Sequence, residues 1–417
     1  MSVSATLAAD EKARRLRAQG IDVLPLGFGQ AGIPVHPLLR QAIADASDRN
    51  GYGSVAGSDE LRQAAAGYWQ RRSLRTGADQ VIAGPGSKAL LYALLQAIGG
   101  DVVVPLPSWV SYAAQAELLG HRPVRVPALP GEGGAPAPDL LVSAVRQARA
   151  AGRDVRALVL TLPDNPTGTL PSRQTIELVC AAARDLDLMI ISDEIYRDLI
   201  YRQQFRSPAE FAPERVVITS GLSKSLALGG WRIGVARLPD GDTGNRLLAS
   251  VLSAASEIWS SVAQPVQFAA ATAFTEPAVL TAYVARARGV YEAVTIAVAA
   301  AFSAAGARVI PPQAAFYLYP DFQPHRDQLA AHGVHTGADL ADVLLNRYGV
   351  AMLPGSAFGE QARSLRLRVC TGMLTGASDD QRLEALDSGD PAALPWIAPA
   401  VGRIGAALAD LLPQQNP

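Results

Sequence analysis

Three side chains with complementary chemistry, an amine, a guanidinium and a carboxylate, stand just beyond apolar runs of this chain. Lysine is scarce: Lys12, Lys88 and Lys224 are the only three, amid abundant arginine. Few positions can therefore supply an amine. Lys224 follows the strand-like run VVITSG, so its amine can emerge at the ligand-bearing edge of a sheet. An amine there can condense with an aldehyde and later carry a proton, and a low local pKa would favour its free form. Arg232, eight residues on, can fork its donors onto phosphate oxygens. Asp193 closes the run LMIISD, where a buried carboxylate has reason to find a cationic partner. Gly86, Ser87 and Lys88 end the run QVIAG and open the helical segment SKALLYALLQAI, whose free N–H groups and positive dipole end suit a dianion. Trp109, after DVVVPLP, can stack on a planar ligand or simply pack in the core. Arg366 and Arg368 alternate along SLRLRVCT and share one strand face, where either can clamp a carboxylate.

Elements able to position these groups are legible around them. From about Gln80 the chain alternates short apolar runs with helical stretches: QVIAG, DVVVPLP, RALVLTLP, LMIISDE, RVVITSG and RIGVARL. Uninterrupted Val/Ile/Leu strands separated by helices indicate an α/β fold with a mostly parallel sheet covered on both faces. Before them lie a helix near Ala9–Gln19, a Gly/Pro-rich path, a short helix, and a loop entering a helix that Asp59 can cap, with Leu61, Ala64 and Ala65 as its apolar stripe. After about Glu276 a long helical stretch gives way to AAFYLYPDF, a helix near Ala338–Arg347, GVAMLPGSAFG, SLRLRVCT and a last helix, Val401–Leu412. The expected division is an N-terminal arm (1–50) packing with a small domain, a large domain (51–280) and a smaller α+β domain (281–417).

Bulk composition narrows the function classes. The apolar fraction of 49% and charged fraction of 18% are those of a folded globular chain. A formal charge of -1 offers no field to gather nucleic acid or an anionic membrane. Cys180 and Cys370 have neither metal-ligand spacing nor the density of a disulfide scaffold, and the five histidines form no zinc pattern, so no metal is expected. The N-terminus lacks the apolar run of a signal peptide, and no segment has the length of a bilayer span; a cytoplasmic location is the expectation.

The stretch GLSKSLALGGWRIG resembles the cofactor-lysine signature of the class I/II aminotransferases, aspartate-aminotransferase-like enzymes of fold type I that use pyridoxal 5'-phosphate. YGSVAGSDELR, GPGSKAL, PLPSWVSY, LPDNPTG, SDEIY, PGSAFG and LRLR resemble further family motifs and come in the family's order, so the likeness covers nearly the whole chain. It implies a seven-stranded type of sheet in the large domain. It also implies that Lys224 carries the cofactor as a Schiff base and then shuttles the substrate's alpha proton. Asp193 would sit beside the pyridine nitrogen, with Tyr196 and Asn165 on the 3'-oxygen and Trp109 stacked on the ring. Gly86, Ser87, Lys88, Ser223 and Arg232 would hold the phosphate. Tyr52 would reach the partner's phosphate across a homodimer. For the substrate carboxylate the family pattern favours Arg366, with Arg368 as the alternative and the other arginine left to a salt bridge.

The implied reaction moves an amino group from an L-amino acid to a 2-oxo acid by a ping-pong mechanism. A lyase or synthase (elimination, carbon–sulfur cleavage or cyclopropane formation) could use the same apparatus, because the fate of the carbanion depends on pocket geometry. The N-terminal segment departs from the family. Where relatives carry acids, this chain has Gly27, Phe28, Gly29, Gln30, Ala31, Gly32 and Ile33. With Gly32 and Ile33 placed near the substrate, that change favours a neutral or apolar side chain.

Overall fold

The computed structural model describes residues 5–412; the outer ends of the expected arm (1–4) and of the expected C-terminal unit (413–417) lie outside them. In chain order the strands are β1 (Leu24–Pro25), β2 (Val81–Gly84), β3 (Asp101–Leu106), β4 (Pro123–Pro127), β5 (Val155–Thr161), β6 (Met189–Asp193), β7 (Val216–Gly221), β8 (Gly234–Arg237), β9 (Tyr317–Leu318), β10 (Val350–Ala351), β11 (Leu353–Pro354) and β12 (Leu367–Cys370). Seven of them form one sheet in the order β2-β8-β7-β6-β5-β3-β4. The pairings are parallel except at β8, which runs antiparallel to β2 and β7. Apolar runs locate six of the seven. β4 has no such run: proline stands at each end, and exposed Arg125 separates buried Val124 from Val126. That alternation belongs to an edge strand with one covered face.

Period-two alternation divides the sheet's side chains between two apolar layers. Val102, Val104, Ala157, Val159 and Val217 join the layer built on the helices Ser87–Ile98 and Asp242–Ile258. Val103, Leu158, Leu160, Val216 and Ile218 join the other, with Pro138–Ala150 and Arg173–Asp185. Both faces are thus dry, and polar groups can gather only where the strands end.

A second, antiparallel sheet has the order β11-β12-β9 and pairs Cys370 with Tyr317. The helix Ala278–Ala304 leads from the large sheet toward it. The N-terminal segment is tied to this C-terminal part by the parallel pair β1–β10 and by ion pairs from Lys12 to Asp342 (2.9 Å) and from Arg403 to Asp22 (2.7 Å). Ser58, one residue before the expected Asp59, caps the helix Asp59–Gln70 by accepting from the Leu61 amide at 3.2 Å. Asp59 instead starts the first turn, where its charge suits the dipole. Among the described residues no single helix is both long and apolar enough to cross a membrane; Gln264–Phe274 and Ala278–Ala304 meet both conditions only together, across an 83° bend.

Candidate active site

Parallel strands deliver their carboxyl ends to one edge, and there a cavity of about 610 Å³ opens. Pairing register sets its floor: Thr161 of β5 lies opposite Asp193 of β6, which lies opposite Thr219 of β7. The three become a polar row at the end of an apolar sheet. Thr219 Oγ1 donates to Asp193 Oδ1 at 3.2 Å, and the Tyr112 hydroxyl donates to Oδ2 at 2.9 Å. Thr161 Oγ1 in turn donates to the Tyr112 hydroxyl at 2.8 Å. Asp193 is 3% exposed and forms no ion pair among the described residues. Burial pushes its carboxyl up to about 6, against the pull of Tyr112, Thr219, the Ile195 amide and the Lys224 charge. A carboxylate so placed favours a cation brought by a ligand.

Lys224 enters the same cavity from the loop after β7. Its Nζ donates to the Gly29 carbonyl at 2.6 Å and lies 5.7 Å from the Tyr196 ring centroid. Burial presses the amine down to about 8, helped by Arg368 and Arg232 and opposed by Cys370 and Asp193. Near neutral pH a useful fraction is therefore the unprotonated nucleophile. The Tyr196 hydroxyl shares a 2.8 Å hydrogen bond with that of Tyr317, and burial raises its pKa. Asn165 is brought in by the turn after β5. Gly168, at φ +71, closes this turn by donating to the Asp164 carbonyl, and a Cβ on it would strike the Tyr317 carbonyl.

On the neighbouring wall Gly86, not Ser87, is the cap of the helix Ser87–Ile98, and no side chain caps its first turn. Gly86 has φ +87, and a Cβ there would collide with the Arg232 guanidinium. Arg232 donates to the Gly229 carbonyl (2.9 Å) and the Pro85 carbonyl (3.1 Å) and, among the described residues, pairs with no carboxylate. Ser223 and Ser87 face the same space. Uncapped amides beside an acid-free arginine form an anion cradle. Trp109 lines the cavity edge-on to Tyr112, and the Lys88 ammonium sits 4.9 Å from its ring centroid, so the Lys88 side chain faces the site.

The two C-terminal arginines part company. Arg366 lies outside the cavity, its guanidinium held by Glu360 (2.8 Å) and Asp321 (3.1 Å). Arg368 lines the cavity, is 1% exposed, and has no acidic partner among the described residues. Its donors reach the Gly27 carbonyl and, at 3.4 Å, Asn165 Oδ1, while Nε finds nothing. Two residues along a strand span about 7 Å, enough to carry one side chain to the surface and the next inside. The preference for Arg366 is corrected accordingly. Gly32 and Ile33 are displaced too. Ile33 is 5% exposed in the core and the Gly32 carbonyl accepts from Thr375; Phe28, Gly29 and Gln30 line the cavity instead. Tyr52 is 96% exposed and lies outside the cavity. No role was legible for Tyr112, Thr161, Thr219 or Tyr317; Tyr112, which closes the motif PLPSWVSY on the first helical turn after Trp109, carried the one readable hint.

Asp164, beside Asn165, is fully buried, with Oδ2 held by Thr167 (2.6 Å from Oγ1) and Oδ1 without a partner. Burial pushes it up to about 7, despite the hydrogen bonds from Thr167. A raised carboxyl leaves stability untouched below its unfolded value of about 3.8 and costs progressively more as pH climbs to about 7. Asp164→Asn should relieve a penalty on the order of 4 kcal/mol above that window. Denaturant midpoints of the two proteins are expected to coincide near pH 4 and to separate by pH 8, the variant being the more stable. Equal separation at both pH values would contradict the assignment.

These residues fit a flat, cationic, phosphate-bearing aldehyde: a carboxylate lacking a cation at one end, an anion cradle at the other, and an amine of depressed pKa between them. The sequence model of the family described as "Aminotransferase class I and II" matches residues 22–386. The aspartate/prephenate aminotransferase of Thermus thermophilus is 32% identical over 364 residues, covering 86% of this chain and 89% of that protein. An aspartate aminotransferase of Bacillus sp. (strain YM-2) is 30% identical over 389 residues, covering 89% and 93%. The solved structure of Thermus thermophilus aspartate aminotransferase with maleate aligns at a TM-score of 0.82 and 29% identity, covering 98% of this chain and 97% of that one.

Proposed function

The chain belongs to the class I and II aminotransferases, and from that premise we propose how its cavity divides the work of moving an amino group. It is a pyridoxal-phosphate-dependent enzyme that passes the amino group of an amino acid to a 2-oxo acid. Bound pyridoxal phosphate supplies the electron sink into which an amino acid's alpha C–H bond can be broken. Everything else falls to the protein. Lys224 would hold the aldehyde carbon, and its Nζ would take up the substrate's alpha proton and hand it on. Asp193, held in place by Tyr112 and Thr219, would keep the ring nitrogen protonated. Tyr196 and Asn165 would donate to the 3'-oxygen, and Trp109 would stack on the ring. Arg232, Ser223 and the amides of Gly86, Ser87 and Lys88 would hold the phosphate. Arg368 clamps the substrate carboxylate. One observation carries this reading: a single cavity holds an amine lowered to about 8, a buried carboxylate and a buried arginine with no acid beside it.

The substrate's far end meets Phe28 and Leu7 together with the Lys88 ammonium. With Ile33 in the core, the case for a purely apolar side chain loses half its basis. The added cation favours a side chain that ends in a carboxylate, in keeping with the aspartate and prephenate named for the Thermus relative. Tyr52, standing clear of its own cavity, is suited to complete a partner's phosphate cradle in a homodimer.

Holoenzyme mixed with aspartate or glutamate and no acceptor should release the matching 2-oxo acid, stop after one turnover, and liberate no ammonia. Neutral donors such as leucine should give a kcat/KM about tenfold lower or less, the worth of one partly buried ion pair. Sustained ammonia release would assign the chain to the lyases. A preference for neutral donors would restore the apolar pocket.

A further inference from the structure

A second cavity, of about 430 Å³, lies behind the loop that bears Lys224. The two cavities share their backbone walls. Ser223, Lys224 and Ala227 face the active site, whereas Leu222, Ser225 and Leu226 face the rear cavity. Tyr196 likewise faces forward, and Arg197, the next residue, faces back.

The rear cavity is apolar in body, with Tyr68, Phe205, Phe274, Leu226 and Leu280 among its walls. Its charges are mostly satisfied. Arg72 stacks 3.5 Å from the Tyr68 ring centroid and pairs with Asp198 (2.9 Å) and Glu276 (2.5 Å). Arg197 pairs with Glu194 (3.0 Å), and Arg202 with Glu292 (2.8 Å). Arg288 is the exception. It lines the cavity, yet no hydrogen bond or ion pair engages its guanidinium among the described residues. Thr281, Val284 and Ala285 precede it at helical spacing on Ala278–Ala304 and line the same wall, so the helix aims Arg288 inward.

From this arrangement we infer that the rear cavity is a second ligand site, for a monocarboxylate on an apolar body, whose occupant presses on the back of the Lys224 loop. The volume falls within the range of small-molecule sites. A free guanidinium offers the planar fork a carboxylate needs. Asp198 and Glu276 in the wall disfavour a dianion such as phosphate, and the aromatic walls reward an apolar remainder. Coupling follows from the shared loop: filling one side limits the positions its backbone can take on the other.

The probe is 3-phenylpropionate, which has neither an amino nor an oxo group beside its carboxylate and so cannot be transaminated. With donor and acceptor both saturating, it should change the kcat of the holoenzyme by about fivefold, within the usual span of coupling between sites. In Arg288→Gln the concentration for half effect should rise about tenfold or more, with kcat unaltered when no probe is present. Val284→Phe, which fills the cavity, should abolish the response and gives a second route should the first variant fold poorly. The inference is overturned by inhibition that saturating donor relieves, since that places the probe on Arg368. It is equally overturned by no response at all, or by the same half-effect concentration in Arg288→Gln.

Discussion

Lys224→Ala should lower transamination by about 10⁴-fold or more, the upper range for loss of a positioned general base, while the protein stays folded. The side chain lies at the edge of a cavity, with a carbonyl as its one hydrogen-bond partner, so truncation removes little packing. Cofactor should still bind, because the cradle of Arg232 and the uncapped helix start is intact. It should no longer be fixed to the protein by borohydride, which marks the lysine in the wild type. The pH dependence of cofactor capture is a separate check. Attack on an aldehyde requires the neutral amine, and burial sets that amine at about 8. Capture by apoenzyme should therefore rise with pH and level off just above 8, instead of climbing toward the value of about 10.4 for an exposed lysine. A variant that retained activity would remove Lys224 from the chemistry, as would a covalent attachment at Lys88.

What could be read in advance followed from local rules. Strands β3, β5, β6 and β7 announce themselves because both faces are covered, so their central residues read as short runs of Val, Ile and Leu. β4, at the edge, obeys a different pattern and escapes. Lys224, Asp193 and Arg232 were legible because each follows such a run or its turn, and parallel strands must end at one edge. The partners of Asp193 were not legible. Tyr112 arrives from a helix and Thr219 from a neighbouring strand, and only pairing register decides that they meet. Ser58 against Asp59 is a shift of one residue, decided by which side chain takes the extended conformation. Phe28 against Ile33 is a larger miss. An irregular Gly/Pro-rich path has no period from which to read direction, so which of its residues face the ligand depends on contacts made by the rest of the chain.

Arg366 and Arg368 give the sharpest contrast between motif and geometry, and their variants should separate widely. Arg368 is a buried cation that the protein leaves without an acid, enclosed by Tyr317 and Phe358 at 5.4 and 5.1 Å from the ring centroids. Burying a charge without a counter-ion is costly, and the cost is recovered when a substrate carboxylate arrives. Losing one member of such a pair is worth about 3–5 kcal/mol, or roughly 10²–10⁴ in kcat/KM. Arg368→Ala should fall in that range for every amino acid tested, because all share the alpha-carboxylate, and retention of the cofactor should not change. Arg368→Lys should recover only part of the loss: the charge returns, but the two-pronged geometry does not. Arg366→Gln should hold kcat/KM within about threefold, since its partners Glu360 and Asp321 lie outside the cavity. The reverse pattern, with Arg366 essential and Arg368 dispensable, would mean that the strand turns its other end toward substrate when the enzyme works. The cavity described here would then belong to a resting form alone.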